Sequence, residues 1–111
     1  MATAQFIHDG NTLDYTPGAN VSAGDVVVQG DLVGIAKLDI SAGAIGALAV
    51  TGVFDVPKAS GAGTAIAAGA KVYWNAANKQ ATTTATGNKY LGKSVRAAAD
   101  ADATVRVRLE Q

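Results

Sequence analysis

The chain has no cysteine. No disulfide can staple the fold, and no thiol is available as nucleophile or metal ligand. That composition agrees with synthesis in the cytosol. There is one histidine, His8, and one glutamate, Glu110, at the C-terminal tip. A general base needs a positioned partner, and no Ser/His/Asp set can be assembled with any specificity; zinc needs a cluster of Cys or His, and neither exists. No apolar run approaches the ~18–20 residues that span a bilayer. The start, Met1 to His8, lacks the basic opening and long apolar stretch of a signal peptide. The chain is therefore expected to stay where it is made unless a larger assembly carries it out. Net charge is zero over 111 residues, against a general nucleic-acid binder.

What is present is small and β-branched. Alanine (24) and glycine (13) are abundant, so the core must come from Val, Ile and Leu with few aromatics. The most telling feature is a repeat. Val21-Ser22-Ala23-Gly24-Asp25-Val26-Val27-Val28 is echoed by Ile66-Ala67-Ala68-Gly69-Ala70-Lys71-Val72-Tyr73. Each leads to an apolar–glycine step, Val33-Gly34 and then Leu91-Gly92, and each runs through an alanine-rich turn into a further strand, Ala47–Val50 and Ala103–Arg106. A duplicated strand-turn-strand unit predicts an all-β, barrel-like or sandwich domain with two pseudo-repeated halves and little helix. The expected plan is one domain over 1–111: an N-terminal hairpin or arm (1–16), a first half (21–57) and a second half (58–111). The glycine offsets grow from 45 (Gly24 to Gly69) to 58 (Gly34 to Gly92), so the second half holds 13 extra residues. They fall between Asn75 and Gly87, and an inserted hairpin there belongs on the surface.

Local signals place the strands. Asp9-Gly10 is a turn step, so residues 3–16 read as a hairpin. Strands follow at 26–28 and 32–38, and the longest at 47–56 is closed by Pro57. The second half offers 71–74, 80–84, 90–95 and 104–109, with Asn75–Asn78 suited to left-handed turn positions. Val105, Val107 and Leu109 share one face of the last strand, and Thr104, Arg106 and Arg108 the other.

Charge is split along the chain. Residues 1–57 carry six acids and one base; residues 58–111 carry eight bases and three acids. Either the charges mix on folding, or the subunit has an acidic and a basic flank suited to head-to-tail association, which closes into a ring when the rotation allows. Other candidate sites reduce to ordinary roles. Asp100-Ala101-Asp102 lacks the rest of a calcium loop and reads as a solvated turn. Ser60-Gly61-Ala62-Gly63-Thr64 lacks the Gly-Lys-Ser/Thr ending of a phosphate loop and reads as a flexible connector. Trp74 has lysines nearby in sequence, yet reads as an anchor of the core or an interface rather than a base-stacking platform.

Taken together, several segments resemble one family in order and spacing. They are Met1-Ala2-Thr3, Asp9–Leu13, Ala23–Val27, Val33–Ala36, Gly52–Lys58, Gly69–Trp74, Leu91-Gly92 and Ala99–Leu109. The chain resembles the bacteriophage capsid cement, or decoration, proteins over nearly its whole length. The resemblance implies a non-enzymatic virion protein of tailed phages, with no cofactor, no nucleic-acid partner and no membrane. It would be made in the bacterial host cytoplasm and would bind the major capsid protein on the capsid exterior, as a homotrimer. Candidate capsid or subunit contacts are Phe6, His8, Trp74, Arg106 and Arg108. The alternative is a small β binding or carrier module, which needs a lysine exposed at a hairpin tip; Lys58 lacks the flanking signature. An enzyme accessory domain is the remaining class, and the shortage of His, Glu and Cys counts against it.

Overall fold

The computed structural model describes residues 3–111. Among them there is no helix. Nine strands form two antiparallel sheets. The first half contributes β1 (Thr12–Tyr15), β2 (Val26–Gln29), β3 (Leu32–Ala36) and β4 (Gly46–Ala49), in the order β1-β4-β3-β2. The second contributes β5 (Val53–Pro57), β6 (Lys71–Asn75), β7 (Gln80–Thr82), β8 (Lys89–Ser94) and β9 (Thr104–Leu109), in the order β5-β9-β8-β6-β7. The all-β expectation holds in its sandwich form. The edges of the second sheet meet only through one isolated bridge, Lys58 to Ala81, so no barrel closes.

Three local expectations are corrected. Residues 3–10 form no strand, and β1 pairs with β4 instead, so the N-terminal hairpin is not made. The expected strand 47–56 is two strands in two sheets, because the chain turns at Thr51-Gly52 with Gly52 at φ +112°. The left-handed residue of the β6–β7 turn is Lys79, at φ +54°, and not an asparagine.

The repeat is real and larger than the sequence suggested. Deleting β7 makes the two strand orders identical, with β1, β2, β3 and β4 matching β5, β6, β8 and β9. The loop hydrogen bonds match as well. Val21 and Ile40 bond each other reciprocally, as do Ile66 and Ala98. Gly24 N–H donates to Ala36 O (2.6 Å) where Gly69 N–H donates to Ser94 O (2.9 Å). Val50 N–H donates to Asn11 O (3.1 Å) where Leu109 N–H donates to Gly52 O (2.9 Å). These bonds set the last strand of each unit in register. Leu48, opposite Ala36, corresponds to Val107, opposite Ser94, so Ala47–Val50 matches Arg106–Leu109 and not Ala103–Arg106. They also add β1 and β5 to the repeat, since Leu13-Asp14 lies on β4 as Phe54-Asp55 lies on β9. The halves therefore meet at Thr51-Gly52, and the inserted segment after Asn75 carries β7.

Packing departs from a symmetric sandwich. Val27, Ala36, Leu48, Ile40, Val21 and Tyr15 form a small cluster within the first half. Their counterparts Val72, Val107, Ala98, Ile66 and Val56 sit in the larger cluster of the second half. Into that larger cluster the first half also inserts Val33 and Ile35, with Val26 and Val28 packed beside them. These four come from the opposite face of the first sheet. The outer face of one unit thus packs on the inner core of the next, a head-to-tail stack. Full burial of Val33 and Ile35 contributes about 2 kcal/mol each. Gln111 locks the junction: its Oε1 accepts Val33 N–H (2.7 Å), and its Nε2 donates to Tyr90 O (2.9 Å) and Leu91 O (3.1 Å).

The apolar–glycine step has a steric cause. A Cβ on Gly34 would stand 2.8 Å from Leu48 Cβ, and one on Gly92 only 1.9 Å from Arg108 O. Neither clash can be relieved by a rotamer, because a Cβ is fixed by its own backbone; the second is far deeper and falls on the main chain itself. Gly92→Ala is expected to cost about 3 kcal/mol and Gly34→Ala nearer ~1 kcal/mol, read as the difference in denaturation midpoint between the two variants.

Candidate interaction surface

The N-terminal arm stands free of the body. Phe6 and Ile7 are 79% and 74% exposed, and His8 is exposed beside them. The His8 ring bonds only the carbonyl of its neighbour Asp9. No side chain is placed to use it as a base. Two adjacent large apolar side chains thus lie in water without a partner among the described residues. Leu38 (77%) and Ile45 (76%) flank the β3–β4 connection in the same state. Sequence reading missed them because Leu38 was assigned to a strand that ends at Ala36.

The outer face of the second sheet carries the basic candidates. Lys71, Lys93, Arg108 and Val53 are successive cross-strand neighbours. Like charges directly opposite repel. Glu110 reaches Lys93 only at 3.8 Å, and Arg108 has no ionic partner among the described residues. Arg106 differs. It donates two bonds to Asp55, Nε to Oδ1 at 2.9 Å and Nη2 to Oδ2 at 3.1 Å. This hydrogen bond holds the Asp55 carboxyl below its ordinary value and the guanidinium above its own. Arg106 is thus engaged within the chain, while Arg108 is open to a partner. Above them Tyr73 and Tyr90 meet edge-on at 5.6 Å. Desolvation, with help from Glu110, raises the Tyr90 phenol.

Trp74 does not belong to this surface. It is 5% exposed and lies in the main core as an anchor, and what remains exposed of it lines a groove beside β2. Its position on β6, paired with Lys89 and Ala81, aims the indole inward.

Lys58 is the group that sequence reading undervalued. It is 4% exposed, and its ammonium donates to Ala59 O (2.8 Å), Ala99 O (3.0 Å), Asp102 O (3.0 Å) and Thr64 Oγ1 (3.3 Å). A buried cation is tolerated only with such full satisfaction. The same knot uses Asp100 Oδ1 to accept Thr64 and Ala65 N–H, and Asp102 Oδ2 to accept Ala99 N–H. The acidic turn and the glycine-rich connector are therefore bonded parts of one staple, neither merely solvated nor flexible. A lysine so enclosed cannot bear a carrier group. Among the described residues no set of three His, Cys or acidic side chains gathers as a metal site.

Comparison with known proteins gives the surface its context. The family model for phage cement proteins matches residues 7–109, and the chain belongs to that family. No curated protein and no solved structure is similar enough to match. The match includes the body-side part of the exposed arm from Ile7, both sheets and the basic row.

Two consequences are measurable. Lys58→Met leaves three carbonyls without their shared donor and is expected to cost about 3 kcal/mol, read by chemical denaturation; an unchanged midpoint would mean the loops satisfy themselves. The Asp55–Arg106 pair stabilises the fold with a definite sign. Asp55 has a folded pKa below its unfolded value near 3.8, so its contribution is present above that pH and lost as pH falls through the folded value. Asp55→Asn should lower the melting temperature slightly at pH 6, and the two proteins should converge towards pH 2. The gap should also shrink in high salt, because both partners are partly exposed.

Proposed function

We propose that this phage cement protein binds the outer surface of the expanded capsid, against the major capsid protein, and reinforces it without catalysis. It does so as a homotrimer at local three-fold positions and is made in the host cytoplasm before joining the virion. Membership of the cement family over residues 7–109 carries the reading. Three structural features support it. The two halves share one core and a stapled connector, which gives a stiff body able to transmit load. The arm with Phe6 and Ile7 supplies apolar surface that needs a protein partner. The four strands of the first sheet and their loops hold four acids and one base, whereas residues 53–111 hold eight bases and four acids. Unlike ends favour heterologous contacts that close into a ring. Phe6, His8 and Arg108 are the contact candidates most open to a partner, Arg106 being paired with Asp55 within the chain and Trp74 mostly buried.

Sedimentation of expanded shells with added protein tests this. The protein should pellet with shells, saturate at three copies per local three-fold, and raise the temperature at which shells break. Arg108→Glu should lower affinity about tenfold, equivalent to ~1.4 kcal/mol. Protein left in the supernatant while shells melt unchanged would overturn the reading.

A further inference from the structure

The duplication exposes a position that the chain leaves empty. In the second half β6 is covered on its free edge by β7, supplied by the segment between Asn75 and Lys89. In the first half the equivalent strand is β2, and only Gly30-Asp31 separates it from β3. Gly30, at φ +61°, makes that two-residue turn. Among the described residues no strand lies on the other side of β2. Ala36 N–H donates to Asp25 O, which fixes the alternation along the pair. Val27 then bonds towards β3, and the N–H and C=O groups of Val26 and Val28 point to the bare edge.

A groove of about 410 Å³ runs along that edge. One wall is Gly24 to Val28; Pro57, Trp74 and Lys79 of the second half contribute to the other. Its exposed lining is mixed, with more apolar than polar surface, and Lys79 is among its lining residues with no ionic partner among the described residues. Lys79 is also, among the described residues, the one non-glycine residue held at positive φ, a conformation that costs roughly 1–2 kcal/mol.

We infer that this groove receives the N-terminal arm of a second copy, which adds a strand to β2. The arm has the matching properties. Residues 3–8 are unpaired, and Phe6 and Ile7 lie bare in water. The next residue but one, Asp9, is an acid without an ion pair, complementary to Lys79. Four residues of arm suffice to cover β2, a length of about 13 Å. Added strands gain main-chain hydrogen bonds along the edge, and side-chain pockets set the register. The arm leaves the body from β1, the opposite edge of the first sheet from β2, so exchange between copies is favoured over folding back. The inference refines the self-association part of the proposed function and needs no capsid.

Amide hydrogen exchange on the full chain, with mass measurement in solution, tests it. In concentrated wild type the Val26 and Val28 amides should be protected at least tenfold more than in the full-length variant carrying Phe6→Ser and Ile7→Ser. Dilution should remove that protection, and the variant should be a monomer with wild-type circular dichroism. Equal exchange of these amides in both proteins would overturn the inference. So would protection independent of concentration, which would assign the groove to the chain's own arm. Shell sedimentation of the same variant separates the two readings. An oligomer lost without loss of wild-type shell binding leaves the arm contact standing; wild-type oligomers that ignore shells remove the capsid reading alone.

Discussion

The structure depends on one contact: the outer face of the first unit set on the inner core of the second. Val33 and Ile35 are buried there, and neither has another core to enter. Without it the first half would keep only a cluster of three buried residues, Ala36, Ile40 and Leu48, with partial cover from Tyr15, Val21 and Val27. So small a core does not sustain a four-stranded sheet alone. The two units are alike in bonding yet unequal in stability, and the first leans on the second. Gln111 explains why the C-terminus matters to a strand 78 residues earlier, since its amide satisfies a Val33 N–H that β4 is too short to reach.

The same contact explains where charge stands. The cross-strand row Val26–Ile35–Ala49–Thr12 in the first sheet corresponds to Lys71–Lys93–Arg108–Val53 in the second. The first row is mostly apolar because the second unit covers it. The second row has no third unit to cover it, and three bases stand where apolar residues would invite one. Stacked repeats need a polar outer face at the end of the array. The basic flank thus has a folding reason before it has a binding one, and the self-repulsion of Lys71, Lys93 and Arg108 is the cost. Glu110, 3.8 Å from Lys93, relieves part of it at the margin.

Much of this was legible in the sequence, and the gaps have physical causes. Val21–Val28 against Ile66–Tyr73 revealed the duplication because Gly24 and Gly69 serve the same bond to the end of the next strand. The 45-to-58 offset located β7 because an insertion shifts every later position by a fixed amount. Leu13-Asp14 against Phe54-Asp55 went unnoticed because two residues, one of them changed, make no visible signal without strand pairing to align them. The expected strand 47–56 divides because period-2 alternation carries no information on which sheet a strand enters; the signal for the division is Gly52, at φ +112°. Trp74 was offered as a contact since tryptophan is common both in cores and at interfaces, and only burial separates the two.

Lys58 shows the limit most clearly. A lysine after Val-Pro looks exposed on any hydropathy scale, yet its four acceptors come from residues 59, 64, 99 and 102. Two of them lie more than 40 positions away, and both belong to backbone carbonyls, which every residue has. No side-chain pattern can announce such a site. Its counterpart in the first half is Pro17, also buried, where the shorter β1–β2 connection needs no cation to hold it. Divergence between the units therefore follows connection length. Where the second unit gained a longer link, it gained a buried ammonium to pin that link. Where it gained β7, it closed the edge that the first unit leaves bare.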